Sequence, residues 1–360
     1  MIPKSLSHKV LSLGPDCVDP KGGIGMVLHT YRGIYEEFRF ITTHKEGSGI
    51  AKAAIFVRAL FALLPALCRK DIRIVHVHGA SKGSFVRKSI IILLSKCFGK
   101  KVVYHIHGGG FKAFTQRHRK AVMLVLRRCD VIVALSDYWK SYFSDELHCG
   151  KVEIVHNIMP YPHERHSNRD DSLCTLLFLG KLCKEKGIYD LLEMLSKHID
   201  EFRGHIRLLV AGIGETDKLK ETIALRGLDE IVEFHGWVSG RQKEELLNAS
   251  DVFVLPSYFE GVPISLLEAF SYHLPAISTN VGGIPEILSG GENGYLIAPG
   301  NESELYESVK RLASSPALRQ QMGQEAYKRC LPHLPENVEK KLTTIYLELL
   351  SAGSSPPSSR

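Results

Sequence analysis

Two carboxylates eight positions apart, Glu260 and Glu268, stand out in DVFVLPSYFEGVPISLLEAF, residues 251–270. The run predicts a buried strand ending at Pro256 and a loop that presents Glu260. Gly261 then lets the backbone approach a ligand, and Pro263 opens a helix. Glu268 falls in the early turns of that helix. A helix start offers free N–H groups to an anion, so the backbone of Gly261, Val262, Pro263 and Ile264 is a candidate cradle for a diphosphate. Beside it, Glu260 can accept hydrogen bonds from the hydroxyls of a sugar ring, and Glu268 from those of a ribose. A surface loop with a capping glutamate is the plain alternative.

A second cluster, LLFLGKLCKEKGIYDLL (176–192), places Lys181 and Lys186 on either side of a short loop. The loop runs between a strand ending at Gly180 and a helix beginning near Gly187. Two ammonium groups at the carboxyl end of a strand can neutralise a diphosphate, and such ends are where ligands bind in doubly wound sheets. A solvated Lys/Glu loop would look the same taken alone.

Histidines invite a different chemistry. HVH (76–78) and HIH (105–107) each put two imidazoles on one face of a strand, a possible metal site. No carboxylate follows at ligand spacing, and strand histidines often only hydrogen-bond within a core. The chain also contains no D-x-D, which an enzyme holding a diphosphate through Mg²⁺ or Mn²⁺ would want. The expectation is no metal and no cofactor.

The elements that must position these groups alternate between short apolar runs and helical patterns, the mark of α/β layering. Strands are predicted near 9–13, 37–41, 72–77, 101–106, 131–135 and 152–155, with helices over 24–35, 51–67, 84–98, 116–127 and 137–144. YPHERHSNRDDS (161–172) interrupts the pattern as a linker. Strands resume at 173–180, 205–212, 230–236, 251–256 and 275–279, and helices follow over 301–313, 316–330 and 336–351. The expected organisation is an N-terminal domain (1–160), the linker (161–172) and a C-terminal domain (173–334). A helix (335–352) packs back on the first domain, and a disordered tail (353–360) ends the chain.

The charge is divided unevenly. Residues 1–160 carry 25 Lys and Arg against 11 Asp and Glu, while the other 200 carry 21 against 28. So basic a half points to an anionic partner. The segments 58–70, 87–101 and 115–128 flank apolar helical stretches with cations, which suits an anionic membrane surface; three core helices with solvated basic ends would read the same way. No nucleic-acid recognition motif appears, so nucleic acid is not expected. The longest apolar runs, such as SIIILL (89–94), fall short of the roughly 20 residues that span a bilayer. No secretory leader is expected at the N-terminus. Eight scattered cysteines without a C-x-x-C pair read as free thiols in a reducing compartment. The expected location is the cytoplasm, with peripheral contact at the inner face of the membrane.

Taken together, these motifs resemble those of the retaining glycosyltransferases of the GT-B fold, family four. Glu260 and Glu268 meet that family's E-x7-E element. Gly180, Lys181, Lys186 and Gly187 meet its G-R…K-G element, with Lys181 where the family commonly has arginine. Gly212, Gly214 and Glu215 meet its G-x-G-E turn. In HGWVS (235–239), Val238 marks the backbone that holds the nucleotide base. GPDCVDPKGGIG (14–25) resembles the family's glycine-rich loop, where Gly22 and Gly23 let backbone amides approach the donor phosphate or the acceptor. His107 resembles the histidine facing the transferred sugar, and Ser136 and Asn157 match positions bordering the cleft. Core or turn roles for the last two are equally open.

The resemblance implies an α/β GT-B fold, two Rossmann-like domains facing each other across an interdomain cleft. It implies metal-independent retaining transfer of a hexosyl-type sugar from a nucleotide diphosphate-sugar, UDP ahead of GDP, to a glycan or lipid-linked acceptor. Bacterial surface polysaccharide or glycolipid biosynthesis is the expected setting. His107, Glu260 and Lys186 would be the catalytic groups, with Lys181, Lys186 and Gly23 on the diphosphate and Glu268, Val238 and Gly212 on the nucleoside. Two alternatives stay open: a sugar-nucleotide epimerase on the same fold, and a non-catalytic scaffold subunit of a membrane glycosylation complex.

Overall fold

A computed structural model of the chain describes residues 1–159 and 173–352. The expected linker (161–172) and tail (353–360) lie outside the described residues. The chain divides into two compact units. Unit 1 takes the residues before 161 and those from His333 onward; unit 2 takes the stretch between.

Unit 1 holds a parallel six-stranded sheet. Its strands are β1 (Val10–Pro15), β2 (Arg39–His44), β3 (Ile74–Gly79), β4 (Lys101–Ile106), β5 (Val131–Ala134) and β6 (Val152–Ile154). Their order in the sheet is β2-β1-β3-β4-β5-β6. Every residue of β3 is buried, which fits a strand covered by helices on both faces. Two strands begin later than the sequence pattern suggests: β2 covers 39–44 rather than 37–41, and β3 covers 74–79 rather than 72–77. The reason is register. Leu11 pairs with Arg39 and Val10 with Ile74, so Glu37, Phe38 and Ile72 precede the ladder. The helix Pro335–Ser351 belongs to this unit, and the Tyr346 hydroxyl lies 2.6 Å from that of Tyr35.

Unit 2 repeats the plan. Its strands are β7 (Cys174–Leu179), β8 (Ile206–Ala211), β9 (Val232–Phe234), β10 (Val252–Leu255), β11 (Ala276–Thr279) and β12 (Gly294–Ile297), in the order β12-β11-β10-β7-β8-β9. All pairings are parallel. Leu176, Phe178, Phe253 and Ile277 form its core, each 0% exposed. Strand order reverses beside β7, with β10 on one side and β8 on the other. Loops leaving the carboxyl ends of these strands therefore converge at one place, the standard ligand position in such sheets.

Candidate active site

The loop after β10 is pinned from two sides. On one side the Tyr258 N–H donates to the Glu185 carbonyl at 2.9 Å and its hydroxyl donates to Asp190 at 2.8 Å. On the other, the Gly283 N–H donates to the Gly261 carbonyl at 2.7 Å, and the Thr279 hydroxyl donates to the Ser257 carbonyl. Two glycines make these approaches possible. A Cβ on Gly187 (φ +72°) would stand 2.0 Å from the Pro256 carbonyl oxygen, and one on Gly282 (φ +57°) would stand 2.0 Å from that of Glu260. Both distances are impossible for a side chain, and both backbones are left-handed.

Held this way, Glu260 is buried, with its carboxylate on the Lys186 ammonium and accepting from the Ser257 hydroxyl at 3.0 Å. The following helix, Ile264–Ser271, starts after Pro263, and no side chain caps it. Its first-turn amides have no partner within the helix, the condition for an anion site. Glu268 sits on this helix, buried, and accepts from the Lys243 ammonium at 2.5 Å. Two buried carboxylates, each paired with a lysine, thus flank an uncapped helix start. An ammonium has three donors, so after one bond to its glutamate each lysine retains donors for an anionic ligand.

The other expected residues of unit 2 fall on neighbouring loops. Gly261, Val262 and Pro263 are buried and Ile264 is half-buried. Lys181 is exposed, just past β7. Gly212 follows β8 and its N–H donates to the Gly236 carbonyl at 2.7 Å, which ties it to the HGWVS segment. Val238 in that segment is half-buried, two residues before the helix Gly240–Ala249.

Expected residues of unit 1 lie near the carboxyl ends of its strands. Gly22 and Gly23 begin the helix Gly23–Tyr31. His107 follows β4; its Nε2 is 3.0 Å from the His78 Nδ1, and burial pulls its pKa down to about 4, with Asn157 acting weakly the other way. His107 is therefore a neutral imidazole at pH 7. Ser136 precedes the helix Asp137–Ser141, and its buried hydroxyl has no hydrogen-bond partner among the described residues. Asn157 is buried and its carbonyl accepts from His333 Nδ1 at 2.9 Å.

The family model described as Glycosyl transferases group 1 matches residues 162–329, and the model Glycosyltransferase Family 4 matches residues 28–159. The chain belongs to the group 1 glycosyltransferases of the GT-B fold. Among curated relatives, the amylovoran biosynthesis glycosyltransferase AmsD of Erwinia amylovora is 28% identical over 71% of this chain and 73% of its own. Sucrose-phosphate synthase from Thermosynechococcus elongatus shares the fold with a TM-score of 0.80 at 16% identity, over 97% of this chain and 99% of that one. Anabaena HepE, solved in complex with UDP, has a TM-score of 0.72 at 15% identity, over 96% of this chain and 100% of its own.

Several of the glycosyltransferase's residues escape sequence reasoning. Lys243, the partner of Glu268, sits on a polar helix, and nothing in its local pattern marks it. Gly282 reaches Glu260 only through the fold, and Ser257, three residues before it in the same loop, carries no sign in the sequence that its hydroxyl turns to the carboxylate. A further correction concerns the longest apolar segment. The helix Gly49–Cys68 is 20 residues long with a mean hydropathy of 1.9, enough by length and composition to cross a bilayer. Lys52 and Arg58 interrupt it in sequence, so no single run looks long. It packs on the sheet through Ala59, Leu63 and Leu67, yet leaves Ile50, Val57, Phe61 and Leu64 exposed on one stripe (86%, 50%, 72% and 40%).

Three buried imidazoles, His76, His78 and His105, each offer a ring nitrogen within 4.8 Å of the others, close enough to hold a metal ion. No carboxylate belongs to the group, so a dication there would lie in a fully buried, uncharged setting.

Proposed function

We propose that this glycosyltransferase moves a hexosyl-type sugar from a nucleotide diphosphate-sugar, a UDP-sugar first, to a glycan or lipid-linked acceptor. The reading includes retention of configuration and no metal ion, with surface polysaccharide or glycolipid synthesis as the setting. One observation carries it: in unit 2, Glu260 on Lys186 and Glu268 on Lys243 flank the uncapped start of the helix Ile264–Ser271. The diphosphate would lie on the helix amides with Lys186 and Lys181, Glu268 would take the ribose, and Glu260 the sugar hydroxyls. The bond from the anomeric carbon to the diphosphate breaks, and one to the acceptor oxygen forms. The acceptor proton leaves with the diphosphate. Preorganised lysines and amides stabilise that departing charge without reorganisation cost. The neutral His107 is the acceptor-side hydrogen-bonding group.

Support for UDP comes from HepE, a protein of similar fold solved with that nucleotide. Support for metal independence is the cationic character of the site: Lys181, Lys186 and Lys243 supply the charge that a metal would otherwise bring. The test is calorimetric titration of the whole chain with UDP and GDP in EDTA. UDP binding that is unchanged by added Mg²⁺ and at least tenfold weaker in Glu268→Ala is expected. Binding that requires Mg²⁺, or that Glu268→Ala leaves intact, overturns the donor assignment.

The exposed stripe of the helix Gly49–Cys68 supports work at an anionic membrane on the cytoplasmic side. That helix carries Lys52 and Arg58 and no acidic residue. Arg119, Lys120, Arg127 and Arg128 add positive charge on the helix Phe111–Leu126 and just beyond its end. Apolar burial and attraction to anionic lipid would then act together. Sedimentation with phosphatidylglycerol vesicles is expected, with loss in Ile50→Ser/Phe61→Ser. Equal sedimentation of that variant, or none by the wild type, contradicts the membrane reading.

A further inference from the structure

A cavity of about 350 Å³ opens within unit 1 where β1, β2 and β3 end. Thr43 and Ala80 line it from the strand ends, Gly22 and Gly23 from the start of the helix Gly23–Tyr31, and Arg87 and Lys88 from the helix Gly83–Cys97. Lys88 is only 2% exposed, and its ammonium donates to the Thr43 hydroxyl. No carboxylate pairs with it among the described residues. Its stem passes over Gly79, where an added Cβ would meet the Lys88 Cγ at 3.0 Å. Arg87 has a buried Nε with no acceptor among the described residues.

Three acids line the same wall: Asp19 is exposed to solvent, and the other two are held by other cations. Asp16 pairs with Lys45 at 3.0 Å. Glu46 pairs with Lys52 at 3.1 Å and lies 3.6 Å from His44. Two cations therefore face one cavity, and among the described residues neither makes an ion pair with a carboxylate; Glu46 acts on Arg87 only from a distance. A buried charge without a partner is costly, and burial together with Arg87 pulls the Lys88 pKa well down. An anion between them would relieve that cost. The first-turn amides of the helix Gly23–Tyr31, which no side chain caps, add further donors. Ammonium, guanidinium and amides together exceed what a two-oxygen carboxylate uses, and suit the three terminal oxygens of a phosphate.

We propose that this cavity binds a phosphate group carried by the sugar acceptor. The inference rests on the reading that unit 1 receives the acceptor. A site built around Arg87 and the buried Lys88 selects acceptors by their charge.

The experiment titrates the full chain, with the donor site saturated by UDP, against inorganic phosphate, glucose 6-phosphate and glucose. Binding of both phosphates and not of glucose is expected. Lys88→Met and Arg87→Gln should each weaken it at least tenfold, while the affinity for UDP stays unchanged. Equal phosphate affinity in Lys88→Met and Arg87→Gln overturns the site. Binding of inorganic phosphate with rejection of glucose 6-phosphate overturns the acceptor assignment. Loss of UDP affinity in Lys88→Met shows that the cavity serves the donor instead, and also overturns it. A buried lysine replaced by an apolar residue of similar length is expected to leave the fold intact; should Lys88→Met fail to fold, Arg87→Gln carries the test. If UDP itself does not bind, the donor reading fails and the phosphate titrations without nucleotide still decide the cavity.

Discussion

Glu260→Gln is expected to lower donor turnover, followed as UDP release, roughly 100- to 1000-fold, the usual loss when one preorganised charged group is removed from a reacting site. Nucleotide affinity should change little, because the ribose is assigned to Glu268 rather than Glu260. The melting temperature should move by no more than about 4 °C, equivalent to about 1 kcal/mol for a unit of this size. Glutamine keeps the shape and can still accept from Ser257. What it loses is the charge facing Lys186, whose ammonium is half-buried beside the helix start. Glu268→Ala should show the converse, weak nucleotide binding with the loop at Glu260 intact. Turnover of Glu260→Gln at wild-type rate would remove this carboxylate from the reaction.

Unit 1 is expected to lose stability as the pH falls from 7 to 5. Burial holds the His76 pKa down to about 3 and that of His107 to about 4, and places His78 and His105 well below the ordinary imidazole range. Several of their ring nitrogens, including both of His105, have no hydrogen-bond partner among the described residues. An imidazole that is hard to protonate when folded protonates freely when unfolded. Its stabilising contribution is therefore complete above the unfolded pKa of about 6.5 and drains away as the pH drops toward the folded value. At pH 5 each of His76 and His107 costs about 2 kcal/mol, a large share of the roughly 5–15 kcal/mol that holds a domain together. Denaturant midpoints at pH 7 and pH 5 in the same ionic strength measure it. His105→Phe should flatten the dependence, since phenylalanine fills the same volume without a basic nitrogen. Identical midpoints at the two pH values would contradict the neutral histidine cluster.

Much of this site could be read before folding because its parts are local. Glu260 and Glu268 share one strand-loop-helix run, and Lys186 with Gly187 shares another. The partners that complete it come from elsewhere. Lys243 reaches Glu268 from a helix whose polar sequence carries no period strong enough to place it. Gly282 matters only because its backbone passes over the Glu260 carbonyl. The strand β12 (Gly294–Ile297) is four residues long and starts at glycine, too short for alternation to reveal. Lys88 and Arg87 looked like the basic flank of an apolar helix, and only the packing of that helix against β3 shows Lys88 to be buried. The helix Gly49–Cys68 was legible as a helix over 51–67, but its apolar length was not: two cations divide its sequence into short runs, while the folded helix leaves Ile50, Val57, Phe61 and Leu64 exposed on one stripe.

The most direct measurement is product analysis by mass spectrometry. Purified protein is incubated in EDTA with UDP-sugars, with and without polyprenyl diphosphate-linked and free oligosaccharides. A new glycoside, formed only with an acceptor and released together with UDP, is the expected result. An altered sugar still attached to its nucleotide, formed without any acceptor, or no turnover of any donor, would contradict a sugar transferase at Glu260 and Glu268.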